Sequence, residues 1–119
     1  MKRDMGLIRA LLLEAEGDQT VDLSAFSKLE RAYHFQLLLD AGFVEGKVRM
    51  SGMDGKLRPI GYRVQRLTWS GHEFMDAARN ESVWKRVTAK VTKTGATVSL
   101  AILQELLVQE LRRIVGLKA

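Results

Sequence analysis

Between residues 42 and 71 the chain carries Lys47, Arg49, Lys56, Arg58, Arg63 and Arg66 against only Glu45 and Asp54, a net +4. Residues 1–41 carry −2 and residues 72–119 carry +3, so the middle of the chain is its basic part. Lys and Arg at this density have the chemistry to meet phosphates, which supply most of the affinity for duplex DNA. A second set, Lys28, Arg31, His34 and Gln36, has side-chain types that read base edges in a major groove. Glu30 and Asp40 interleave with that second set and would repel a phosphate backbone. The basic middle stretch therefore carries more of the nucleic-acid expectation. Its alternative is a solvated hairpin whose edge cations keep the strands soluble.

Catalytic chemistry has fewer supports. His34 and His72 are the only obvious candidates for a general base near neutral pH. His72-Glu73 has no second histidine four residues from the first, so the zinc-protease spacing is missing. Trp69-Ser70-Gly71 does not complete a nucleophile elbow, and there is no glycine-rich phosphate loop. A His72 that caps or hydrogen-bonds locally is the expected reading, and a protein without catalytic residues, metal or cofactor is the expected class. Trp69, Phe74 and Trp84 could stack on unpaired bases, but their spacing fits core positions that clamp the basic hairpin against the helices after it. The chain has no cysteine, which excludes disulfides and thiolate metal sites and fits a reducing cytoplasm. Arg9 interrupts the apolar run Leu7–Leu13, so no signal peptide is expected. No run approaches the roughly 18 apolar residues of a membrane span. The expected location is cytoplasmic.

These residues need elements to hold them. Leu7, Ile8, Leu11, Leu12 and Ala15 form a stripe that predicts a helix over 3–16, started by Asp4 and stopped by Gly17-Asp18. Thr20-Val21-Asp22-Leu23 alternates like a short strand. Ser24 or Ser27 can cap the next helix, with Glu30 placed as in a capping box, and Gly42 ends it. Apolar residues cover most of that helix's circumference, so it must touch more than one neighbour. Phe43–Met50 and Ile60–Trp69 are strand candidates joined by Ser51–Lys56, with Asp54-Gly55 the strongest turn pair. Pro59 suits a strand start or an edge. Thr68 or Ser70 caps a helix over 70–79 with Glu73 in its first turn; a helix over 81–94 has the stripe Val83, Trp84, Val87 and Val91. A last helix over 97–115 has the seam Leu100, Leu103, Leu107, Leu111 and Ile114. That seam and the apolar second helix are surfaces a second copy could cover, making a homodimer.

Helix, short strand, helix, basic hairpin, helices is an α+β, mainly helical order. It matches a winged-helix domain over 1–119, with core and following helices over 1–95 and a dimerisation element over 96–119. It is abbreviated: residues 24–41 hold one long helix where a full helix-turn-helix has two. The chain also resembles a known family. Met1-Lys2-Arg3-Asp4-Met5, Tyr33-His34 leading into Leu37-Leu38 and Ala41-Gly42, and Leu67-Thr68-Trp69-Ser70-Gly71-His72-Glu73-Phe74 resemble domain of unknown function 2513, a family of small bacterial and phage proteins. The resemblance implies a prokaryotic, often mobile-element setting and brings no activity. His34–Phe43 and Leu67–Gly71 also look like segments of winged-helix regulators, in which the helix would read DNA and the hairpin would be the wing. Two functional readings follow. One is a DNA-binding regulator; the other is an adaptor for a host or phage protein without DNA contact.

Overall fold

Asp4 sits in extended backbone and its carboxylate accepts the Leu7 N–H at 3.0 Å, which opens α1 (Met5–Ala15). Leu7, Ile8, Leu11 and Leu12 bury its apolar stripe, and Gly17, at φ 98°, turns the chain out of it. No strand forms over Thr20–Leu23. Asp18 Oδ1 accepts the Thr20 N–H and Asp22 Oδ1 accepts the Ser24 N–H, each at 2.9 Å. These side chains capture backbone donors that a ladder would need, so the segment turns where its alternation predicted extension. Ser27 and Glu30 complete the capping box that starts α2 (Lys28–Asp40).

The structure is a computed structural model that describes residues 2–52, 55–95 and 98–116. Among them the architecture is α+β and mainly helical, with one two-stranded antiparallel sheet. The hairpin consists of β1 (Val44–Ser51) and β2 (Arg58–Leu67). Pro59 is the second residue of β2, near the strand start that suits it. Gly55 has φ 70°, as a tight turn requires; Asp54 of the expected turn pair lies outside the described residues, as does Met1. Then come α3 (Trp69–Ala78), α4 (Glu81–Thr94) and α5 (Leu100–Ile114). Thr97, expected to open the last helix, is also outside the described residues, and Ser99 is the N-cap instead.

Two compact units divide the chain, Met1–Gly71 and His72–Ala119, with the boundary inside α3. In the first unit α2 packs on α1 and on both strands, which meets the requirement for more than one neighbour. Phe35 stacks on Tyr62 with ring centroids 4.7 Å apart, and the Tyr62 hydroxyl donates to Glu14 Oε1 at 2.8 Å. The sheet thus has an inner face toward the helices. In the second unit α4 packs along α5. Asn80 caps α4 and Gly95, at φ 68°, ends it. Among the described residues no helix is long and apolar enough to cross a membrane.

The strand-to-helix joint is closed by Thr68. Its Oγ1 donates to the Gly42 carbonyl at 2.5 Å and accepts the Gly71 N–H at 3.1 Å, while its own N–H donates to the Phe43 carbonyl. Thr68 is therefore the cap of α3, and Glu73 lies beyond the first turn. A Cβ on Gly71 would collide with the Phe43 carbonyl oxygen, so this close approach requires glycine. Phe74 and Trp84 are buried as expected, but Trp69 is 80% exposed. Period-two alternation stops at Leu67, and the helical turn that begins at Trp69 aims its side chain into solvent.

Candidate nucleic-acid interface

Residues directly opposite in an antiparallel pair share a face. Lys47 pairs with Arg63, Arg49 with Gly61, Glu45 with Arg66 and Ser51 with Arg58, while Gly46 pairs with Val64 and Val48 with Tyr62. Tyr62 belongs to the inner face, so Lys47, Arg49, Arg58, Arg63 and Arg66 share the outer one, and all five are exposed. Strict alternation would not produce this, because Arg63 and Arg66 are an odd step apart. Two register shifts correct the count: Gln65 is an extra residue between the Glu45 and Gly46 pairs, and Ile60 is extra between the Arg49 and Met50 pairs.

The cations on this face are not equivalent. Arg66 donates Nε and Nη2 to the two Glu45 carboxylate oxygens at 2.7 and 3.0 Å, which holds that carboxyl below its usual range and spends the guanidinium. Lys47, Arg49 and Arg63 make no ion pair among the described residues, and with Gly61 and Tyr62 they line a shallow concavity of about 310 Å³. Gly61 matters here. A Cβ at that position would lie 3.5 Å from Arg49 Nη2, so the guanidinium rests across the bare backbone of β2. Gly46 serves the inner side, where a Cβ would meet the Arg63 carbonyl and come within 2.9 Å of the Phe35 ring. Lys56 is exposed in the connecting loop.

The base-reading candidates on α2 fare differently. Lys28 is exposed, Arg31 is half-buried, and its Nε donates to the Ser27 carbonyl at 3.4 Å. Gln36 Nε2 donates to Asp40 at 2.8 Å. His34 is 1% exposed and both ring nitrogens are engaged. Nε2 accepts the Asp4 N–H at 2.7 Å and Nδ1–H donates to the Glu30 carbonyl at 2.8 Å. Those partners fix a neutral tautomer and remove His34 as a reader of bases. Because α2 packs on the inner face, its side chains and the outer cations do not form one surface. His72 is exposed on α3. Among the described residues no group of three or more His, Asp or Glu could hold a metal ion.

Of the seam expected at a dimer interface, Leu100, Leu103 and Leu107 are buried within the chain itself, Leu111 is half-buried and Ile114 is exposed. The seam faces inward because α5 must cover its own apolar stripe before it can offer one. Tyr62, Glu14 and Glu110 were not singled out by sequence. The first two meet across 48 residues of chain, a pairing that no local pattern signals.

The chain belongs to the family described as Hypothetical protein (DUF2513), whose family model matches residues 2–97. A protein of Haemophilus influenzae (strain ATCC 51907 / DSM 11121 / KW20 / Rd), described as "Uncharacterized protein", is 32% identical over 112 residues, spanning 88% of this chain and 91% of the relative. No solved structure matches the chain.

Proposed function

We propose that the protein is a winged-helix-like DNA-binding regulator whose hairpin serves as the wing and contacts phosphates. The observation that supports this reading is the convergence of Lys47, Arg49 and Arg63 on one sheet face without carboxylate partners among the described residues. The reading gives the contact to the hairpin and not to an inserted α2, since His34 and Gln36 are engaged within the fold. Duplex affinity measured against salt tests it. Three phosphate contacts imply a slope of about −3 in log affinity against log salt. Arg49→Glu combined with Arg63→Glu should abolish both the binding and the slope. Absence of binding at low salt would refute the proposal.

A second reading, an adaptor for a protein partner without DNA contact, draws on Trp69 and Leu57, which are 80% and 69% exposed. Large apolar side chains left in water are characteristic of surfaces that a partner covers. A pull-down from host lysate separates the two. Recovery of nucleic acid alone, read from the absorbance ratio of the purified protein, counts against the adaptor.

A further inference from the structure

We infer that the groove between α4 and α5 binds a small amphipathic organic anion, an apolar body carrying one acidic group. The groove has a volume of about 610 Å³, within the roughly 300–1,000 Å³ of small-molecule sites. Val87 and Val91 of α4, with Val98 and Leu106, supply its apolar floor. Lys90, Lys93 and Arg113 stand at its edge.

Glu110 decides what the edge can bind. It is 7% exposed, and its Oε1 takes Arg113 Nη2 at 2.7 Å and Arg86 Nε at 3.3 Å. A buried carboxylate is costly unless it is paired, and this one is paired twice. The Arg113 hydrogen bond, with the charges of Arg86 and Lys90, keeps it ionised. Glu110 is thereby spent on the two guanidiniums. Lys93 forms no ion pair among the described residues and Lys90 reaches Glu110 only through its longer-range charge, so an apolar concavity is left beside two ammonium groups. An anion with an apolar body complements both features.

Size narrows the occupant. From Val87 to Thr94 the α4 wall rises roughly 10 Å at 1.5 Å per residue. That length admits a short acyl or aryl body and is too short to seat a helix of three turns.

Decanoate titrated into the full-length protein tests the proposal, with heat and the methyl resonances of Val87, Val91 and Leu106 as readouts. We expect one-to-one binding that perturbs those methyls and exceeds the affinity for uncharged decanol by about tenfold. Lys90→Glu with Lys93→Glu, both exposed positions, should lose about the same factor while the circular dichroism stays unchanged. Equal binding of decanoate and decanol, or full retention in the double variant, would overturn it. Arg49→Glu with Arg63→Glu leaves the groove intact and should bind decanoate normally. Loss there would place the anion on the hairpin and overturn the assignment equally.

Discussion

At the scale of single residues, His34 shows how a side chain with functional chemistry can be consumed by the fold. Its Nε2 satisfies the backbone N–H of the residue that caps α1, so it links the start of α1 to α2. His34→Phe keeps a planar ring, though a larger one, and strands the Asp4 N–H, at an expected cost of about 1–3 kcal/mol in urea denaturation. The same variant should leave the salt dependence of DNA binding unchanged. Residue types alone placed His34 among base readers, since its partner lies 30 positions away. Trp69 departs from its expected core position for a related reason. Its burial depended on whether the strand ended before or after it, and the Thr68 cap ends the alternation two residues earlier than expected.

At the scale of elements, short-range chemistry was well marked in the sequence. Asp4, the Ser27–Glu30 box and the glycines after α1, α2 and α4 act within a few residues, and each fixes a helix end as read. Thr20–Leu23 failed because alternation is a weak signal over four residues and two aspartates competed for its donors. The close approach of α2 to the hairpin was illegible, since it depends on Gly46 facing Phe35 across the inner side. Gly46→Val should cost about 1–3 kcal/mol through overpacking and weaken the near-ultraviolet dichroism of the Phe35–Tyr62 stack. On α5, Leu107→Ala should cost about 2–5 kcal/mol at any protein concentration. A concentration-dependent loss would instead restore the seam to a subunit interface.

At the scale of the whole molecule, ionisable groups shifted by their partners shape the edges of the stability profile, Glu110, Glu45 and Tyr62 among them. Arg113 holds Glu110, and Arg66 holds Glu45, below the usual carboxylate range. Their contributions are present above the unfolded value of about 4.3 and fade as pH falls through the lower folded values. Burial and the bond to Glu14 raise Tyr62 well above the ordinary phenol. Its contribution is complete below about pH 10 and is lost as pH climbs toward the raised folded value. Thermal melts across pH should therefore show a plateau between these limits. Tyr62→Phe should remove the alkaline fall, and Glu110→Gln should blunt the acid one. The basic character of residues 42–71 was plain in the sequence; the sharing of one face by its cations was not, because it depends on the two extra residues of β2.

Those extra residues also constrain how the hairpin can evolve. Removing Gln65 would restore regular alternation and keep Arg66 opposite Glu45 on the outer face, whereas removing Lys47 from β1, which has no extra residue, would turn Val48 outward and Arg49 inward. Deletion of Gln65 should thus survive in soluble expression, while deletion of Lys47 should be lost from it. Descendants of this chain should therefore vary in hairpin length at Ile60 and Gln65 before they vary within the paired run.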